Sequence, residues 1–152
     1  MDDVLDLLLG TYPSWSRLVV RLALGIVFFA HGAQKMLGWF GGHGLKATVR
    51  MFEQSMRIPP GATVLAASLE CVGGLALIVG FLVRPFALGL IVVMLVASAK
   101  VHWKHGFFLA TQPGRANGWE YNFVLIAMAL AVLAGGAGAL SVDFLLRPYG
   151  GE

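Results

Sequence analysis

The sequence predicts an all-α membrane protein: a four-helix bundle with a short amphipathic helix in the first long loop. Three observations carry that reading. The 152 residues are 58% hydrophobic and only 12% charged, with a mean hydropathy of +0.78. Soluble domains are about a quarter charged, so lipid is the expected solvent. Four apolar runs are each long enough to cross a bilayer as a helix, which takes about 20 residues. Twenty glycines suit helices whose backbones approach closely inside a membrane. Residues 1–152 therefore read as a single integral membrane domain, with no soluble catalytic domain. The Met1-Asp2-Asp3 start has the wrong charge for a signal peptide, so the first span is expected to be retained.

Asp2 to Leu9 is acidic and partly apolar, ends at Gly10, and reads as a surface helix. Pro13-Ser14-Trp15-Ser16 opens the first span, roughly 16–37. The others run roughly 61–83, 85–103 and 119–140. Trp15, Trp39, Trp103 and Trp119 fall at span edges, where amphipathic rings prefer the headgroup layer. In the first long loop Gly38, Gly41, Gly42 and Gly44 make a turn. Leu45, Val49, Phe52 and Met56 then recur at helical spacing, with Lys46, Arg50, Glu53 and Arg57 on other faces. Such a helix either lies in the interface or caps the bundle, and both need the same pattern. Pro59-Pro60 stops it. The second connection is a tight turn near Arg84-Pro85. The third, from His105 to Gly118, is long enough to dip back over the bundle mouth.

The net charge of +3 is spread along the chain with no basic patch, so nucleic acid is not an expected partner. Five basic residues in loops one and three (Lys46, Arg50, Arg57, Lys104, Arg115) stand against three on the other side (Arg17, Arg84, Arg147). This weakly favours those loops inside. Asp2, Asp3, Asp6, Asp143 and Glu152 share the second side. Cys71 is the only cysteine, which rules out an internal disulfide or a Cys-x-x-Cys site. It reads as a small buried hydrophobe.

Glu70 is the most telling residue. It stands near the middle of an apolar run, where an unpaired carboxylate costs roughly 2.5–3.5 kcal/mol on insertion scales. In an antiparallel bundle the end of span one, the start of span two, the end of span three and the start of span four meet at one face. His31, Lys35, Glu70, His102 and Glu120 fall in those half-spans, and Gln34, Lys100 and Asn122 lie among them. They predict a polar cup with Glu70 about 12 Å inside its helix and His31 about 9 Å inside the end of span one. Arg21, Gly25, Phe28, Gly32 and Lys35 share one helical face, as do Ala66, Glu70 and Gly74. Lys100 and His102 point about 200° apart, so a straight helix turns only one of them inward. Each member also has a structural reading. Glu70 can be an ion pair with Arg21 or Lys35, the lysines can snorkel, and His31, His102 and Glu120 can be ordinary interface or inter-helix groups.

Three chemistries could use such a cup: a quinone or other small redox carrier, a metal, or haem. No short-spaced ligand motif supports a metal. The unequal depths of His31 and His102 argue against an axial haem pair. A small-solute permease or a non-enzymatic scaffold is the alternative function. A permease needs a polar path through both halves, and the half opposite the cup looks apolar apart from Arg21.

Four motifs in order carry a family resemblance: Arg21-x-x-x-Gly25 with His31-Gly32-x-x-Lys35-Met36-Leu37; Glu70-x-x-Gly73-Gly74 leading to Gly80 and Arg84; His102-x-x-x-Gly106-Phe107-Phe108; and Gly118-Trp119-Glu120-Tyr121 with a late Ser141-Val142-Asp143. On these the chain resembles the DoxX-like family of small bacterial four-helix membrane proteins. The family pattern often has Asn before Gly-Phe-Phe, where this chain has His105, so His102 is the matched histidine. The resemblance implies a multi-pass bundle in the bacterial cytoplasmic (inner) membrane. The family is named after the small membrane subunit of thiosulfate:quinone oxidoreductase, and other members are linked to redox and thiol stress. It therefore implies a redox-associated protein that hosts a quinone-like or other small ligand beside a partner oxidoreductase. The expected ligand-binding residues are His31, Lys35, Glu70, His102 and Glu120, with Arg21 and Arg84 as structural or second-tier residues. A homo-oligomer is a further possibility, and whether the chain is itself an enzyme is left open.

Overall fold

The computed structural model describes residues 2–146. Met1, Arg147 and Glu152, used above for leader and charge asymmetry, lie outside them. The described chain is helical throughout, with no strand. A short α1 (Asp2–Leu9) precedes α2 (Trp15–Met36). The loop helix α3 (Gly44–Met56) leads to α4 (Pro60–Val79) and α5 (Val83–Ala97). A π-helical turn, Ser98–His102, and a 3-10 turn, Trp103–His105, extend α5. Then come α6 (Glu120–Gly135) and a short α7 (Val142–Leu146).

The four long helices form a ring in which α2 packs on α4, α4 on α5, α5 on α6, and α6 back on α2. Leu24, Phe28, Leu77, Leu90, Leu125 and Val132 fill its centre. Outward faces carry Val19, Ile26, Leu65, Val72, Leu88, Val92, Phe123 and Leu130, all exposed. Such a surface is satisfied by lipid tails, not by water. The α2–α4 seam is the tightest. Gly25, Gly32 and Gly74 lie against the opposing backbone with no room for a Cβ, the close approach that small residues permit.

Two expected spans end early. Span two was expected to reach residue 83, but α4 stops at Val79 because Gly80 takes φ 74° as its C-cap. Leu82 is also left-handed (φ 46°), and Val83 opens α5 instead. Span four was expected over 119–140, but α6 stops at Gly135, where Gly136 takes φ 74°. The helices at Trp15–Met36, Pro60–Val79 and Val83–His105 are long and apolar enough to cross a membrane, while Glu120–Gly135 is shorter. Beyond it the backbone is irregular yet paired. Gly138 N–H donates to Thr11 Oγ1 (2.7 Å) and Ala139 N–H to Ser14 O (3.2 Å). Irregular backbone survives near lipid only when its polar groups are met this way.

The half opposite the cup is not apolar apart from Arg21, as the sequence had implied. Arg21 is fully buried, and its guanidinium donates to Leu77 O (2.6 Å), Ile78 O (2.8 Å), Ala139 O (3.2 Å) and Leu140 O (3.1 Å). It thereby satisfies the carbonyls that the end of α4 leaves open. Asp143 accepts from Leu82 N–H (2.8 Å) and Val83 N–H (3.0 Å), capping α5 from a distant part of the chain. Burial pushes the Asp143 carboxyl above the ordinary aspartate range, against the pull of those two N–H groups and of Arg21 and Arg84. Arg84 donates to Leu7 O (2.8 Å) and ties α1 to the bundle. Arg21 and Arg84 both serve the fold here, joining chain segments through backbone carbonyls.

The loop helix α3 caps the bundle, resting on α4 and α2. Thr48 is buried, while Lys46, Arg50 and Glu53 are exposed. Arg57 (φ 54°) ends α3, and Pro60 takes the first turn of α4, where a missing N–H costs nothing.

Candidate ligand site

The close α2–α4 seam positions the central pair. Lys35 sits in the last turn of α2 and Glu70 midway along α4. The Lys35 ammonium donates to Glu70 Oε1 at 2.6 Å and to Oε2 at 2.5 Å. Glu70 is 2% exposed and the Lys35 side chain 27%. The carboxylate is thus enclosed while its cation is partly exposed. Removal of the Lys35 charge would leave the enclosed Glu70 carboxylate desolvated and unpaired, which makes the pair costly to break from that side. From above, α3 covers it: Lys35 Nζ lies 5.9 Å from the Phe52 ring centroid, and Thr48 Oγ1, whose hydroxyl donates to Gly44 O at 2.9 Å, lies 3.4 Å from Lys35 O. Of the two partners the sequence offered Glu70, Lys35 is the one used, and Arg21 is spent on carbonyls at the other end.

His31 stands apart. It is exposed, and it makes no hydrogen bond or ion pair among the described residues. The buried stripe of α2 runs through Arg21, Leu24, Gly25, Phe28 and Gly32. His31 precedes Gly32 by one residue, about 100° around the helix, and is turned outward. It remains one helical turn from Lys35 on the same side.

His102 and Glu120 form a second group. The π-helical turn carries Lys100 to an exposed position and His102 to a half-buried one. His102 Nδ1 lies 2.9 Å from Asn117 O. Glu120 Oε2 accepts from Leu109 N–H at 2.9 Å. Ala110 N–H donates to Asn117 Oδ1 (3.0 Å), and Glu120 N–H to Phe107 O (2.8 Å). Together these fold the 103–119 segment onto the starts of α6 and the end of α5. Trp103 stacks on Trp119 at 5.7 Å, and Phe107 meets Trp119 edge-on at 4.7 Å. Below, buried Asn122 donates to Ser98 Oγ (3.1 Å), which itself bonds Met94 O (2.7 Å). No hydrogen bond or ion pair joins this group to Lys35–Glu70 among the described residues. The expected cup is therefore two polar groups at one end of the bundle. Among the described residues no three His, Cys, Asp or Glu side chains converge as metal ligands would.

Sequence reasoning did not single out Phe52, Thr48 or the Asn122–Ser98 bond as parts of this end. The 3.6-residue stripe of α3 signals a buried face, yet not what it covers. The role of Asp143 has no local signal, because its capped helix lies 60 residues away in the chain.

Closely packed helices with apolar outer faces and an enclosed ion pair define a multi-pass membrane protein. The DoxX family model matches residues 16–103, more than half of the chain, and the chain belongs to the DoxX family. Comparison with curated proteins and with solved structures gave no match.

Proposed function

We propose that this DoxX-family protein is a redox-associated subunit of the bacterial cytoplasmic membrane. In this reading it hosts a quinone-like carrier at the Lys35–Glu70 end and works beside a partner oxidoreductase. The observation that carries the reading is the asymmetry of that pair: a carboxylate 2% exposed held by an ammonium 27% exposed. The exposed side of Lys35 offers a proton donor to a ligand carbonyl, while Glu70 holds the ammonium in place. Turning a quinone into a quinol consumes two electrons and two protons. The partner supplies the electrons, and Lys35 with Glu70 handles the protons. His31, one turn from Lys35 at the lipid-facing edge, lines the lateral entry. His102 and Glu120 hold the aromatic 103–119 segment at the same end.

The test is thermal melting of purified protein with a soluble short-chain quinone. Binding to the folded state raises the melting temperature in a saturable way. Glu70→Gln, which keeps volume and hydrogen bonding, is expected to fold yet to lose most of that response. No quinone response in the wild type, together with solute uptake into liposomes by the protein alone, would overturn the proposal in favour of a permease.

A further inference from the structure

The seam between α2 and α6 is the loosest of the four in the ring. It opens as a groove of about 460 Å³, lined by Ser16, Arg17 and Val20 from α2 and by Ala131, Ala134 and Gly135 from α6. The groove lies at the end of the bundle opposite Lys35–Glu70, so it is independent of the quinone reading. Ala131, Ala134 and Gly135 follow i, i+3, i+4 spacing, which puts three small residues on one wall. With Val20 opposite, they make an apolar trough open to the lipid-facing side.

Its outer end has the opposite character. Arg17 Nη1 donates to Gly135 O at 2.5 Å, and the guanidinium lies 5.5 Å from the Tyr12 ring centroid. Among the described residues Arg17 has no acidic partner and no other acceptor. The backbone N–H groups of Trp15, Ser16 and Arg17 stand in the first turn of α2, where no intrahelical acceptor exists. The positive end of the α2 dipole falls at the same place. Tyr12 (70% exposed) and Trp15 (69%), ring types that prefer the headgroup layer, flank it. A cation with spare donors and no acid beside it among the described residues, set at the mouth of a lipid-facing apolar trough, complements one kind of molecule: an anion joined to an acyl chain.

We propose that the α2–α6 seam binds an anionic phospholipid, with its phosphate on Arg17 and Ser16 and one acyl chain along Val20 and Ala131. With no acidic partner among the described residues, Arg17 selects an anionic headgroup over a zwitterionic one. The trough selects a lipid over a free anion.

Native mass spectrometry of the full chain, exchanged into mixed micelles of phosphatidylglycerol and phosphatidylcholine, tests this. The wild type should retain phosphatidylglycerol preferentially. Arg17→Gln should lower the retention ratio roughly fivefold, the effect of one basic residue near an anionic surface, while Arg17→Lys should keep most of it. Ala134→Leu fills the trough from an exposed position and leaves the charge intact; it should reduce retention of both lipids. Melting curves of the variants report that the fold persists. Equal retention of both lipids by the wild type, an unchanged preference in Arg17→Gln, or displacement of phosphatidylglycerol by inorganic phosphate would each overturn the proposal.

Discussion

Gly32 rests directly on the backbone of Glu70 and Cys71, with no space for a Cβ between the two helices. That contact fixes the separation of α2 and α4, and Lys35 reaches Glu70 from one turn further on. The ion pair is thus set by a glycine that carries no chemistry of its own.

Gly32→Ala is expected to push the helices apart and lower stability by about 1–3 kcal/mol, the usual cost of overpacking. Thermal melting in detergent reads this directly. Gly61→Ala is the matched control, since a Cβ there meets nothing within 4 Å; it should be neutral or stabilise by up to about 1 kcal/mol. Equal melting temperatures for Gly32→Ala and wild type would contradict the contact.

Lys35→Met leaves Glu70 buried without its cation. The expected loss is about 3 kcal/mol, at the low end for a broken buried pair because Lys35 keeps some solvent access. Glu70→Gln should cost less. The double variant Lys35→Met with Glu70→Leu should recover much of the loss, since no charge is then stranded. A double-mutant cycle measures this coupling, and strictly additive effects would show that the two side chains do not depend on each other.

Asp143→Ala removes the cap of α5 and is expected to cost about 1–2 kcal/mol, with Asp143→Asn milder because its amide oxygen still accepts. The pH dependence has a definite sign. Asp143 is held above the ordinary aspartate value, so its contribution is fully present below that value. As pH rises, the unfolded chain ionises first and stability falls until the folded carboxyl has ionised too. The difference in melting temperature between wild type and Asp143→Asn isolates this carboxyl from all others. A difference that grows in favour of wild type with rising pH would reverse the sign.

His31→Ala removes an exposed side chain that makes no hydrogen bond or ion pair among the described residues. Its melting temperature should match wild type, within about 0.5 kcal/mol of stability. If His31 lines the ligand entry, the same variant should weaken the quinone response. Loss of fold in His31→Ala would refute its placement on the outer face.

The sequence made the helical class and the α2 stripe readable and narrowed the Glu70 ion-pair partner to Arg21 or Lys35, since composition and 3.6-residue spacing act locally. Arg21, Gly25, Phe28 and Gly32 are all buried as that spacing predicts. What spacing could not show was where span four ends, because Gly135-Gly136 reads as well inside a glycine-rich membrane helix as at its cap. Nor could it place His31, whose depth along the span was legible but whose side of the helix depends on which face the neighbours take. The grouping of His102 and Glu120 by the 103–119 segment depends on backbone bonds between residues such as Glu120 and Leu109. Side-chain type alone does not announce those.

The early stop of α6 has a consequence for the surrounding bilayer. Sixteen residues rise about 24 Å, short of the roughly 30 Å hydrocarbon core. The other three long spans are 20 to 23 residues long, so the mismatch falls on one flank. Lipids along that flank must thin or tilt to meet the short wall, while those around α4 need not. The protein is therefore expected to distort its membrane unevenly, to melt at a higher temperature in shorter-chain lipids than in longer ones, and to gather with other proteins that thin the bilayer.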